Sequence, residues 1–397
     1  MSRVGWIWLV LVCFAVGTSM VTPLIPIYQQ QLGFNDTVVT LFLGSYVVTL
    51  VPSMLGLGQL SDRVGRRVVL IAAIVTLAIA QLMLLSTPPL WGLMLARTFQ
   101  GAASGAFFGT CTAFLVDSAA PIHRARTATL GSISIRLGLG LGPGLAGVLA
   151  QYASHPLQTP FALHLVLLGI ACTVVIVLPE TVDTAQPARP MRLRLDVPPA
   201  ERAIFWRILV PSGMLFSLFD ATALSLLPVF IVRTLDIRNY AVAGAAGCLV
   251  LVSGALSQLW FRHLHPAPAI TRGLAVAALA SFGIVAAQPL ESAPLVLLAI
   301  TLTGGACGLV FKGGMDLITQ IAPLADRGKL ISAYMVACYV GGFSIPLMVL
   351  GLLSDLLGLV WALLILSLSA GLGAIWTARV GMRALPGGMV RSRVGLQ

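Results

Sequence analysis

Long apolar runs, interrupted by short polar or Gly- and Pro-containing breaks, fill this chain from Trp6 to Arg379. A helix needs roughly 20 apolar residues to cross a bilayer, and twelve runs qualify, at about 7–28, 38–59, 68–86, 91–117, 127–150, 161–178, 208–231, 240–260, 273–288, 294–319, 331–352 and 360–378. The only long connection runs from Glu180 to Arg207 and contains Pro187, Pro190, Pro198 and Pro199. It divides the pattern into a six-helix bundle at 1–180, a linker at 181–207, and a second six-helix bundle with a short basic tail at 208–397. Two echoes support the division. Pro26-Ile27-Tyr28 recurs as Pro228-Val229-Phe230, and Ala120-Pro121 recurs as Ala322-Pro323, both at a separation of 202 residues. Parallel halves of this kind place a substrate site between them near the membrane midplane. In the linker, Pro198-Pro199-Ala200-Glu201-Arg202 reads as a helix start, with Ile204, Phe205 and Trp206 laying it along the membrane surface.

Composition narrows the class. Of 397 residues 58% are hydrophobic and 9% charged, whereas soluble domains carry about 25% charged residues. That deficit excludes a soluble enzyme or binding module, and the high hydrophobicity excludes disorder. The net charge of +11 would suit a nucleic-acid partner until the charges are placed. With the N-terminus inside, nineteen basic residues fall in inner segments and only Arg233 and Arg238 in outer ones. The balance records membrane orientation, with both termini cytoplasmic, and nucleic acid is not an expected partner. The six cysteines, Cys13, Cys111, Cys172, Cys248, Cys307 and Cys338, lie in apolar runs without C-x-x-C pairs, so neither disulfides nor a metal is expected. The first apolar run continues past Gly17 to Tyr28 and reads as a retained span rather than a signal peptide. No G-x-x-x-x-G-K-[ST] element suggests nucleotide binding.

Three motifs carry more specific information. The turn between spans two and three reads Gly58-Gln59-Leu60-Ser61-Asp62-Arg63-Val64-Gly65-Arg66-Arg67, where Gly65 permits a tight turn and the arginines anchor the inner face. Span four contains Arg97-Thr98-Phe99-Gln100-Gly101, and Arg97, Gln100, Gly101 and Ser104 share one helical face. Span five contains Gly138, Gly142, Pro143 and Gly147, whose spacing lets helix backbones approach closely, with a bend where Pro143 removes a hydrogen bond. Together with Leu178-Pro179-Glu180-Thr181, these elements resemble signatures of the major facilitator superfamily and its drug:proton antiporter branch. The resemblance implies an all-α polytopic membrane protein of twelve transmembrane helices in two pseudo-symmetric six-helix bundles. It also implies that Asp62 and Arg66 pair with Asp117 at the inner end of span four, forming with Gly58, Arg63 and Gly65 a latch that holds the outward-open state. The second half departs from the pattern, since Gly254-Ala255-Leu256-Ser257 is followed by Gln258 where an aspartate is expected.

Four ions fall inside spans: Arg97, Arg136, Asp220 and Lys312. Each costs about 2.5–3.5 kcal/mol at the bilayer centre, so each needs a partner or a water-filled cavity. Asp220 is either a proton carrier or a fixed ion pair with Arg136 or Lys312. Arg136 binds an anionic substrate group, answers Asp220, or makes only a structural hydrogen bond to backbone. Lys312 and Asp316, four apart, are placed to neutralise each other. Arg97 is expected to shape the cavity and act on a nearby carboxyl, and His164 to be a satisfied interior residue.

The expectation is a non-enzymatic secondary transporter in a bacterial cytoplasmic membrane, functional as a monomer without cofactor. It would export a small organic or amphipathic, drug-like molecule by alternating access against protons, with the bilayer, protons and substrate as its partners. The alternative is a carrier for an anionic metabolite or siderophore, motivated by three intramembrane bases against one acid. A transport-dead sensor or scaffold is a third reading.

Overall fold

All twelve apolar runs become long helices: Arg3–Leu32, Asp36–Val64, Arg66–Leu85, Leu90–Asp117, Arg126–Tyr152 and Thr159–Val177 as spans one to six, then Arg202–Thr234, Tyr240–Trp260, Pro266–Ala286, Ala293–Ile321, Arg327–Leu357 and Leu359–Arg379 as spans seven to twelve. The computed structural model describes residues 3–182, 197–290, 292–323 and 326–381. Most of the linker, with Arg189, Arg192 and Arg194, and the basic tail with Arg383, Arg391 and Arg393 lie outside the described residues. No strand occurs among the described residues. Asn35, Asn239 and Ser292 cap spans two, eight and ten by accepting backbone N–H groups. Gly65, at φ 96°, makes the tight turn ahead of span three.

Two expectations change. The linker's helix start is the first turn of span seven itself and not a separate surface helix, because Ile204 and Phe205 are buried in the core and only Trp206 faces outward. Span one is not continuous. Its helix stops at Thr18 and resumes through a 3-10 turn at Thr22–Leu24, since Pro23 and Pro26 have no N–H to continue the ladder. Span eleven breaks likewise at Ser344, two residues before Pro346.

The packing repeats between the halves. Spans two with four, three with four, three with six and one with five pack together in the first half. In the second, eight with ten, nine with ten, nine with twelve and seven with eleven do the same. The halves meet through five on eight and two on eleven, a pair that the same six-span shift exchanges. Small residues make these contacts close. Gly138 and Gly142 face span one, whereas Gly147 lies against Tyr240 and Gly244 of span eight, and Pro143 against Gly247. The span-five motif is therefore a joint between the halves as well as within the first.

A Cβ at Gly142 would meet the carbonyl of Val16 and sit 2.8 Å from Ser19 Oγ, while one at Gly109 meets nothing within 4 Å. Gly142→Val should therefore destabilise the protein by about 1–3 kcal/mol, and Gly109→Ala should not. Thermal unfolding of the purified variants compares them.

The outer surface of the bundle is apolar, and all seven tryptophans are at least 39% exposed. Trp6, Trp8, Trp206, Trp260 and Trp376 ring the end carrying the basic loops, and Trp91 and Trp361 lie near the other. Such a distribution matches the aromatic belts at membrane interfaces.

Candidate functional site

Asp220 lies mid-span in helix seven and Arg136 mid-span in helix five, so their pairing joins the two halves. Arg136 Nη2 donates to Asp220 Oδ2 at 2.5 Å, and the side chains are 13% and 7% exposed. The Arg136 guanidinium stands 5.5 Å from the Phe311 ring centroid of span ten. It fits against Gly254 of span eight, where a Cβ would collide with Nη1. Four spans thus converge on one buried pair. Of the partners open to Asp220 from sequence, the structure selects Arg136. Lys312 lies elsewhere, bonded to Asp316 Oδ2 at 2.5 Å and to the Leu264 carbonyl at 3.1 Å. Its i,i+4 acid neutralises it, and it is not part of the central cluster.

Arg97 is 4% exposed and no carboxylate is among its described partners. Its Nη1 donates to the Thr18 carbonyl at 3.1 Å and to Gln100 Oε1 at 2.7 Å, and its guanidinium covers Tyr46 at 4.7 Å and Phe42 at 5.5 Å. Thr18 ends the first helical segment of span one. The cation therefore sits at the negative end of a helix dipole, which replaces the carboxyl expected from sequence. Gln81 Nε2 donates to the Gly17 carbonyl at 3.2 Å, and His164 Nε2 contacts the Cys13 carbonyl at 3.0 Å. Spans three, four and six thereby hold the broken end of span one. Nothing local singles out Gln81; a polar residue in an apolar run is its only signal.

At the basic end, Arg66 Nε donates to Asp117 Oδ2 at 2.7 Å, and Arg66 lies 3.2 Å from Asp62. These three residues come together as the motif resemblance implied. A third carboxylate completes the turn. Glu180 Oε2 accepts from Arg67 N at 2.9 Å, and Oε1 from Thr181 N at 2.8 Å and Val182 N at 3.2 Å. In the second half, Gln258 turns back to the Gly254 carbonyl, and the loop before span nine is tied instead by Lys312 to Leu264.

Burial pushes the Glu180 carboxyl up, but the backbone N–H groups of Arg67, Thr181, Val182 and Arg66 together outweigh it and hold it below its usual range. A depressed native pKa stabilises the fold above the unfolded value of about 4.3. That contribution disappears as pH falls through the lower native value. Glu180→Gln should therefore unfold at a lower temperature than the parent at pH 7, with the gap closing below about pH 4.

The end opposite the basic loops carries a cluster that the sequence pattern does not reveal. Asp36, 1% exposed, accepts two bonds from Arg233, at 2.9 and 2.6 Å, one from Gln29 at 2.9 Å and one from Ser354 at 2.6 Å. Asp355 of span eleven accepts from the backbone N–H groups of Asp36 and Thr37, both at 2.9 Å, at the start of span two. Gln151 Oε1 accepts from Tyr240 N at 2.8 Å between spans five and eight. Hydrogen bonds between the halves are thus present at this end and at Arg136–Asp220.

Comparison with known proteins agrees with this arrangement. The family model described as Major Facilitator Superfamily matches residues 7–346. The chain is similar to the Quinolone resistance protein NorA of Staphylococcus aureus (strain MSSA476), 22% identical over 254 residues. That alignment covers 62% of each chain, less than two thirds of the relative's length. Among solved structures, a peptide transporter POT in complex with sulfate superposes with TM-score 0.81 at 12% identity, covering 96% of this chain and 94% of that one. A D-xylose-proton symporter superposes with TM-score 0.75 at 15% identity, covering 94% and 96%.

Proposed function

The chain belongs to the Major Facilitator Superfamily, and from that premise we propose that it exports a small organic, amphipathic molecule in exchange for protons, by rocking its two halves about the Arg136–Asp220 pair. The observation that carries the reading is the pair itself, a buried carboxylate and guanidinium drawn from opposite halves. A proton on Asp220 removes the charge that holds Arg136, so protonation and the relative position of the halves are linked. Similarity to NorA supports an organic, drug-like substrate.

The bias of basic residues to one set of loops supports a cytoplasmic position for both termini in a bacterial membrane. On that orientation the Asp36 and Gln151 contacts clasp the two halves on the outer side. The Asp62–Arg66–Asp117 group ties loop to helix within the first half. No cofactor enters the cycle, and the proton gradient supplies the energy, about 2.3 kcal/mol per charge per 100 mV. One chain holds both halves of the site, so a monomer suffices.

Flux of an amphipathic dye into proteoliposomes tests the exchange. Imposing a pH gradient should accelerate uptake against the proton flow, and dissipating it with a protonophore should abolish the acceleration. Flux indifferent to the gradient would reject proton coupling.

A further inference from the structure

The central ion pair is imperfect in a way that identifies what else can occupy its site. Arg136 engages Asp220 through Nη2 alone. Asp220 Oδ1 and Arg136 Nη1 are both buried without a hydrogen-bond partner among the described residues. A well-matched guanidinium–carboxylate pair makes two parallel bonds, but here Nη1 is turned against Gly254. A buried pair with an unsatisfied atom on each partner is poorly stabilised relative to a fully bonded one.

The surroundings of the guanidinium come from the second half and are acceptors. Span seven supplies the carboxylate, span ten the Phe311 ring face, and span eight the notch at Gly254, beside which lies the carbonyl of Gly304. A carboxylate, a negative ring face and a carbonyl make a cation pocket. Its present cation arrives from the other half, on a tether.

We propose that Asp220, Phe311 and the Gly254 notch form a recognition site for a planar organic cation with two adjacent N–H donors, an aryl amidinium or guanidinium, and that Arg136 is a tethered placeholder which this ligand displaces. A free planar cation can bond both Asp220 oxygens while keeping the contact with the Phe311 face, whereas Arg136 covers the ring but bonds only Oδ2. The displaced Arg136 belongs to the first half, so exchange of one cation for the other also releases a link between the halves. The proposal rests on the reading of Asp220 as the site shared by proton and substrate, and it adds the chemical class of that substrate.

The test is calorimetric titration of the purified full chain at fixed pH without a gradient, using benzamidinium, tetraphenylphosphonium and benzoate. Benzamidinium should bind, and tetraphenylphosphonium, with the same charge but no N–H, should bind at least about tenfold more weakly. Arg136→Gln removes the competitor and should tighten benzamidinium about tenfold, as expected for a pocket occupied by its placeholder about nine-tenths of the time. Asp220→Asn should abolish binding, and Phe311→Ala should weaken it several-fold in a protein that keeps Arg136. Phe311→Ala carries the test if Arg136→Gln does not fold. Benzamidinium binding that is weakened by Arg136→Gln, or unchanged by Asp220→Asn or Phe311→Ala, overturns the proposal. So does benzoate binding that disappears with Arg136→Gln, which would make Arg136 an anion site. Because no gradient is used, this binding pattern can hold while gradient-driven flux fails, or the reverse, so the two readings fail separately.

Discussion

Asp220→Asn is expected to reduce gradient-driven flux by about 100-fold or more while leaving the protein folded. Asparagine keeps the shape of the side chain and one oxygen for Arg136 Nη2, but it has no charge and takes up no proton. Removing one partner of a buried pair typically costs about 3–5 kcal/mol, because the other charge is left uncompensated. The exposure of 13% at Arg136 moderates that cost, since a guanidinium at the interface between halves can recruit water. The structural and coupling contributions are separable with the double variant Asp220→Asn/Arg136→Gln. Both charges are then gone, so thermal stability should recover toward the parent. Gradient-driven flux should not recover with it. If the double variant transports against a gradient as the parent does, Asp220 is only a structural partner of Arg136.

The second large effect concerns the end of the molecule away from the basic loops. Asp36→Ala removes four side-chain hydrogen bonds at once, including both from Arg233. Arg233 is 51% exposed, so solvent already screens the pair, and the net contribution is about 1–2 kcal/mol rather than the full value for a buried one. Even this discounted energy changes a two-state ratio about 5- to 30-fold. Because the lost contacts join span two to spans seven and eleven, the released population should be open at this end. Spin labels at Gln31 and Arg238, on opposite halves, should report a larger share of long distances in Asp36→Ala than in the parent. Arg233→Ala should produce much of the same change, and the double variant less than the sum of the two, as expected for residues in direct contact. A distance distribution identical to the parent's would mean that this clasp does not govern the conformational balance.

Much of this architecture is legible in one dimension because a bilayer leaves the chain few options. Apolar runs of helical length must become helices, since no water is present to satisfy the backbone otherwise. The positions of Arg97, Arg136, Asp220 and Lys312 within those runs therefore mark them as costly from hydropathy alone. The Asp62, Arg66 and Asp117 grouping is also readable, because a recurring motif carries a recurring loop geometry.

Other features are not. Asp36 follows Asn35 at a helix start and reads as an ordinary first-turn acid. Its burial depends on span eleven, more than 300 residues away, delivering Ser354 and Asp355 to the same place. Span one reads as continuous even though it contains Pro23 and Pro26, because a proline marks where a helix can break without saying which groups satisfy the freed carbonyls. Those groups are Gln81 on the Gly17 carbonyl and Arg97 on the Thr18 carbonyl, while His164 braces the Cys13 carbonyl one turn earlier.

Hydropathy and spacing along the chain suffice for the number of spans, their approximate limits, the twofold repeat and the short list of intramembrane ions. Each is legible in one dimension because the physical cost of an exposed backbone or an unpaired charge is local. The partners of those ions emerge only when the helices pack: Asp220 with Arg136 rather than Lys312, Arg97 with a helix end rather than an acid, and Asp36 with Arg233. Pairing depends on which helix faces meet across the two halves, and that is fixed by the close packing of small residues such as Gly147, Gly244 and Gly254 on distant spans. No spacing within a single helix encodes it.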